Sequence, residues 1–247
     1  MLETLHHGSV TELRLARTPV NALNMELVEG LLSALSSEVK KGAKAIVLSG
    51  NDGIFSAGLD VPELMAASRN SVTVFWDRFF NLAYGLLNCP VPVVAAITGH
   101  APAGGAVLAI HCDYRIAAAG DYKLGLNEVQ VGLAVPEIIL QVLRHVVGSR
   151  AAARLATSGL MLSPSEAAEI GLVDEVVALE SVRERAVAYA RQLTELPPLA
   201  MNTTRRNAKS GLLAQQVSAE AVRLMTDYWF NDETQRTLRQ LVASLGK

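Results

Sequence analysis

The sequence predicts an α/β fold, on three observations. Short apolar runs that fit buried strands, such as Ala45–Leu48 and Val93–Ile97, alternate with stretches of helical periodicity. The loop after Ala45–Leu48 is rich in Gly, Asn and Ser, as loops that meet ligands in α/β proteins often are, and the turn after Val93–Ile97 ends at Gly104-Gly105. From Ser181 onward the strand signals stop and helical periodicity runs to the end. The expected organisation is an α/β core over residues 1–180 and an all-helical region over 181–247. A length of 247 residues suits one large domain, or one domain with a small appendage.

Val10–Leu15 alternates apolar and polar residues and reads as a half-buried strand. Thr18-Pro19 breaks it. Asn24 is placed to cap a helix carrying Leu27, Leu31, Leu32 and Leu35 at helical spacing, which ends near Gly42. After the strand Ala45–Leu48 comes the loop SGNDGIFSAGLD, residues 49–60. A short helix is expected over Val61–Ala67 and a longer one over Val72–Leu87. The strand Val93–Ile97 runs through a turn into the compact apolar run Ala106–Ile110. Arg115–Ala118 and Tyr122–Leu124 read as short strands, and Gly132–Pro136 as a turn. Helices are expected over Glu137–Val147, Arg150–Ser158 and from Ser163, with a strand at Val173–Val177. The helical region then reads as Val182–Leu196, Leu199–Ser210, Leu213–Phe230 and a last helix from Asp232, with Gln235 in a capping-box position. Its apolar positions Val217, Ala221, Leu224, Tyr228 and Trp229 need a partner surface, either the core or another subunit.

Composition excludes several classes. The chain is 50% hydrophobic and 19% charged, with a net charge of -2, a mean hydropathy of +0.27 and a pI near 6.2. A substantial core is expected, and no nucleic-acid partner, because no basic patch interleaved with aromatics exists. Cys89 and Cys112 make no disulfide framework, so a reducing compartment is the simpler reading. The N-terminus has no basic, apolar secretory pattern, and no apolar run is long enough to span a bilayer. A cytoplasmic protein without a membrane segment is expected. No nucleotide phosphate motif, nucleophile elbow or metal-ligand cluster is present.

The stretch Thr98 to Glu128 concentrates the chemistry. Gly104-Gly105 let the backbone approach a ligand, because no Cβ stands in the way. The first N–H groups of the helix that follows lack partners within the helix and favour negative charge. Glu128 closes the stretch as a carboxylate in an otherwise uncharged segment. Ser56-Ala57-Gly58 is a second loop with small residues and free N–H groups. Two converging N–H groups would make an oxyanion hole, although each loop alone is equally a tight turn. His111 reads as a core residue, and His100 in the site loop is a minor catalytic candidate. Asp60 and Asp113 read as caps or loop-fixing acceptors.

The segments IFSAGLD and ITGHAPAGGAVLAIHCDYRIAA resemble the enoyl-CoA hydratase/isomerase, or crotonase, superfamily. Within it, GHAPAGG…CDYRIAA followed by GLNEVQVGLAVP is most similar to the mitochondrial-type Δ3,Δ2-enoyl-CoA isomerases, and the resemblance covers nearly the whole chain. It implies a crotonase-type spiral of ββα units with a C-terminal helical region, assembled as a trimer or dimer of trimers. It implies an acyl-CoA substrate, with coenzyme A part of the substrate and no separate cofactor. Ala57 and Gly104 correspond to the oxyanion-hole donors, and the CoA lies along Ser56, Ala57, Gly58, Leu59, Asp60 and Val61. Of the two hydratase glutamates, one position holds Val107 and the other Glu128. Glu137, just after Pro136, lies near the position of another branch's catalytic glutamate. If Glu137 faced the substrate, hydration would be back in contention. The implied activity is a double-bond shift from 3-enoyl-CoA to 2-trans-enoyl-CoA by Glu128. Its alternatives are a hydratase using Glu128 and Glu137, and a non-catalytic acyl-CoA-binding protein.

Overall fold

The structure is a computed structural model that describes residues 1–215 and 217–245. β1 (Leu2–His7) and β2 (Val10–Leu15) form an antiparallel hairpin. β1 is absent from the sequence reading because its apolar Leu2 and Leu5 are three residues apart, a spacing with no strand signature. Only pairing along β2 makes it a strand. α1 (Met25–Lys40) begins where Asn24 Oδ1 accepts the Leu27 N–H at 3.0 Å, as its sequence position suggests, and it buries Leu27, Val28, Leu31 and Leu35.

The chain then repeats one motif, in which a strand enters each of two sheets and a helix follows. The first turn is β3 (Ala45–Ser49), β4 (Gly53–Ile54), α2 (Val61–Met65) and α3 (Arg69–Leu87). The second is β5 (Val93–Ile97), β6 (Gly99–Pro102) and α4 (Gly104–Ile110). The third is β7 (Tyr114–Ala118), β8 (Leu124–Gly125), a 3-10 turn at Glu128–Val131 and α5 (Glu137–Val147). α6 (Ser149–Ser158), α7 (Pro164–Glu169) and β9 (Glu175–Val177) follow. The larger sheet has the order β1-β2-β3-β5-β7-β9, parallel from β2 onward, and the smaller is β4-β6-β8, also parallel. This is the ββα spiral expected from the resemblance. The strands of the small sheet are two to four residues long, too short to show a period; β4 and β6 read as loop in the sequence, and β8 lies at the end of the strand expected over Tyr122–Leu124.

The remaining helices are α8 (Val182–Thr194), α9 (Pro198–Ala208), α10 (Ser210–Leu213), α11 (Ala219–Trp229) and α12 (Asp232–Leu245). α8 packs with the core despite lying beyond residue 180. Its Val182, Ala186 and Ala190 seal Ala45, Val47, Val94, Ala96 and Ile116 on the outer face of the large sheet. The helix expected over Leu213–Phe230 starts only at Ala219, after α10 has ended at Leu213, with Ser218 accepting the Ala221 N–H as its cap at 3.1 Å. Residue 216 between them lies outside the described residues. The last cap is Asn231 rather than the expected Asp232 box. Asn231 Oδ1 accepts the Thr234 N–H at 2.9 Å, and the Gln235 side chain turns back to the Trp229 carbonyl.

Among the contacts that bind this helical region to the spiral, two stand at Trp229 and Asp113. Trp229, fully buried, meets Trp76 of α3 edge to face at 6.2 Å. Asp113 accepts from Arg205 at 2.8 Å, Lys209 at 2.6 Å and the Val93 N–H at 2.8 Å, the loop-fixing role its position suggests. Leu224 and Tyr228 of α11 stay exposed. Among the described residues no helix is long and apolar enough to cross a membrane.

Candidate active site

A cavity of about 560 Å³ lies where the site loops, the Glu128 turn and the C-terminal helices meet. Its floor is made by two backbone loops in direct contact. A Cβ on Gly58 would stand 3.2 Å from the Gly104 nitrogen, and one on Gly105 would stand 2.5 Å from the Ser56 carbonyl oxygen. These two positions therefore need glycine for close approach. Ala103, between them, holds φ at +45°, a conformation that costs a non-glycine residue about 1–3 kcal/mol. It starts α4 so that Gly104 is the first helical residue. The Gly104 N–H finds no acceptor among the described residues, as expected at a helix start.

The first loop supplies a different donor from the one expected. The Ala57 N–H donates to the Val20 carbonyl at 2.9 Å and is already used. Gly58 sends its carbonyl to Leu23 N at 2.7 Å, and Asp60 N donates to Leu23 O at 3.0 Å. Backbone direction alternates along an extended chain, so the intervening Leu59 N–H points away from this ladder. Leu59 lines the cavity, and its N–H has no acceptor among the described residues. Of the loop N–H groups on the cavity lining, those of Leu59 and Gly104 are thus without an acceptor among the described residues, and that of Ala57 is engaged. Sequence reasoning placed Leu59 in the loop but had no signal for its N–H, because the competing acceptor, Val20, is far away in the chain.

Ala57, Leu59, Asp60, Val61, Gly104, Glu128 and Pro136 all line the cavity. Ser56, Gly58 and Val107 do not. Ser56 is buried, donates to the Asn21 carbonyl at 2.8 Å and accepts the Gly58 N–H at 3.2 Å, so it builds the loop. Val107 is buried in α4, with its carbonyl bonded to the ring Nδ1–H of His111 at 2.7 Å. Burial keeps that imidazole neutral, with its pKa lowered to about 4. His100 lies outside the lining, where its Nδ1 accepts the Lys123 N–H at 3.1 Å. Asp60 caps α2 through the Glu63 N–H at 3.0 Å and pairs with Arg17 at 2.6 Å on the cavity wall.

Glu137 is the second correction. It starts α5 next to the cavity, yet its exposed side chain turns out to Arg144 at 2.7 Å and Gln141 at 3.1 Å. The ion pair and the favourable helix N-terminus hold it in water. Among the described lining residues Glu128 is accompanied by no second glutamate.

Glu128 is partly covered as a residue, but its Oε2 is sealed from solvent and has no hydrogen-bond partner. Burial is the main influence on its acidity and pushes the carboxyl up to about 7, opposed by a hydrogen bond from its own backbone. Beside it, Asn127 Oδ1 is also buried without a partner. The far wall is apolar, with Trp76 and Phe79 of α3, Ile139 of α5, Met225 of α11 and Leu241 of α12. The last two come from helices that no local motif ties to the site.

The match to the enoyl-CoA hydratase/isomerase family extends over residues 6–242. The chain belongs to the enoyl-CoA hydratase/isomerase family. It is 33% identical to the human enoyl-CoA delta isomerase 1, mitochondrial, over 244 residues, covering 96% of this chain and 80% of that protein. It is 34% identical to a probable enoyl-CoA hydratase of Mycolicibacterium paratuberculosis over 221 residues, covering 87% of this chain and 82% of that one. The crystal structure of human mitochondrial delta3-delta2-enoyl-CoA isomerase superposes with a TM-score of 0.94 at 30% identity, covering 99% of this chain and 98% of the other. The human relative is mitochondrial by name, a compartment other than the cytoplasm expected from the N-terminal sequence. As a member of this family the chain is an enzyme of enoyl-CoA isomerase/hydratase type in fatty-acid metabolism.

Proposed function

We propose that this enzyme shifts the double bond of a 3-enoyl-CoA to give the 2-trans-enoyl-CoA. The observation that carries this reading is Glu128, a single sealed carboxyl in the same cavity as two free backbone donors. The Glu128 carboxylate removes a C2 proton from the bound thioester. The electron pair moves onto the thioester oxygen as a dienolate, and the Leu59 and Gly104 N–H groups hold that charge. The protonated Glu128 then returns the proton at C4, and the double bond settles between C2 and C3. One base that gives back what it took suffices, and a pKa near 7 suits both halves of the transfer. Hydration asks for a water held by a second carboxylate. Val107 cannot supply one, and Glu137 is engaged by Arg144 outside the cavity.

The apolar wall suits a fatty acyl chain, and Arg17 is a cation on the cavity lining near the expected course of the CoA. Assembly as a trimer or dimer of trimers belongs to the same proposal, supported by the exposed Leu199, Leu224 and Tyr228. Analytical ultracentrifugation tests it. For the reaction, Glu128→Gln is expected to lower kcat at least a thousandfold with acyl-CoA binding kept. Wild-type levels of conversion in that variant exclude Glu128 as the base. Formation of 3-hydroxyacyl-CoA from 2-enoyl-CoA at a comparable rate reassigns the enzyme to the hydratases, and ligand binding with no turnover supports a binding protein.

A further inference from the structure

The 3-10 turn that carries Glu128 is anchored on two sides. On one, the Gln130 amide donates to the Gly159 carbonyl at the end of α6, at 2.9 Å. On the other, the turn ends in Gly132, with φ at +76°. A Cβ there would stand 3.1 Å from the Cα of Thr234 in the first turn of α12. The Thr234 hydroxyl donates to the Gly132 carbonyl at 2.5 Å, and Thr234 is fully buried. Thr73 and Thr237 return their hydroxyls to their own helices, at Arg69 O and Glu233 O. Thr234 instead reaches across to a segment about a hundred residues away in the chain. The next residue, Leu133, donates its N–H to the Glu128 carbonyl at 3.0 Å, so the bond at Gly132 bears directly on the Glu128 backbone. The same helix α12 brings Leu241 to the cavity wall.

We propose that Thr234 is a positioning residue for Glu128, its hydrogen bond to Gly132 fixing the turn that holds the carboxyl in the sealed wall. The inference rests on Glu128 as the base. The charged side chains of the packed elements are Arg150 and Arg154 on α6, and Asp232, Glu233, Arg236 and Arg239 on α12. All are exposed, and among the described residues none pairs with Glu128. Arg17 and Asp60 on the cavity wall pair with each other. Exclusion of water, rather than a neighbouring charge, therefore sets the acidity of Glu128, and a loosened turn admits water.

The test compares Thr234→Val, which keeps the shape and removes the donor, with Thr234→Ser, which keeps the donor. Isomerisation of a 3-enoyl-CoA is followed across pH, and Glu128 is titrated directly by carbon-13 NMR of the glutamate carboxyls, without turnover. Thr234→Val is expected to lower kcat on the order of tenfold to a hundredfold with KM little changed. It is also expected to move the Glu128 midpoint down toward the ordinary glutamate value, and Thr234→Ser to restore both. A Thr234→Val protein that loses only Tm, with kcat and midpoint unchanged, overturns the proposal. Should that variant not fold, Gly132→Ala perturbs the same contact from the other side and is held to the same two readouts. If Glu128→Gln proves active, the reading of the base fails, while the NMR midpoint still decides the role of Thr234.

Discussion

The Ala57 nitrogen donates to the Val20 carbonyl at 2.9 Å, which leaves the Leu59 N–H, two residues on, as the free donor beside Gly104. A backbone donor is tested by replacing its amide with an ester, which deletes the N–H alone. At position 59 the change is expected to lower kcat by roughly a hundredfold to a thousandfold, the usual effect of losing one oxyanion donor. At position 57 it is expected to lower Tm and leave kcat within a few-fold. The reverse outcome returns the role to Ala57.

The base must be ionised to take the C2 proton. Burial raises the Glu128 carboxyl to about 7, so kcat/KM is expected to climb with pH through neutrality and level off above it. A profile already flat from the ordinary carboxylate range upward would mean that water reaches this group in the free enzyme.

The same displacement has a consequence for stability. The folded-state pKa is raised, so the folded protein holds the proton that the unfolded chain releases above about 4.5. Stability is fully present below that pH and is lost as pH rises through 7. At roughly 1.4 kcal/mol per pH unit, a rise from 4.5 to about 7 corresponds to about 3 kcal/mol. Glu128→Gln removes the penalty. In urea unfolding it is expected to be more stable than the wild type above neutral pH by up to that amount, and no more stable in acid.

Asp113 serves structure rather than chemistry. Replacing it with Asn leaves Arg205 and Lys209, both largely buried, without their counter-charge. Breaking one partner out of such a cluster is expected to cost about 3–5 kcal/mol. The urea midpoint reads it, and a change below about 1 kcal/mol would place these side chains in solvent.

Local signals made much of the fold legible. The Asn24 cap, the leucines of α1, the apolar strands β3 and β5 and the bounds of α5 each follow from residues close together in the chain. Glycine at 58, 104 and 105 marks the two loops that meet on the cavity floor, because close backbone approach excludes side chains wherever it occurs. Glu128 was identifiable as the carboxylate in an apolar segment.

Tertiary structure decided what depends on distant partners. The strands of the small sheet carry no period of their own, and only their neighbours complete them. Which loop N–H stays free depended on Val20, and whether Glu137 faced substrate or solvent depended on which face of α5 packs inward. The acidity of Glu128 comes from water excluded around it, with α12, a hundred residues away in the chain, bracing its turn through Thr234. Periodicity and capping are properties of neighbours in sequence, whereas donor availability, exposure and desolvation are properties of neighbours in space.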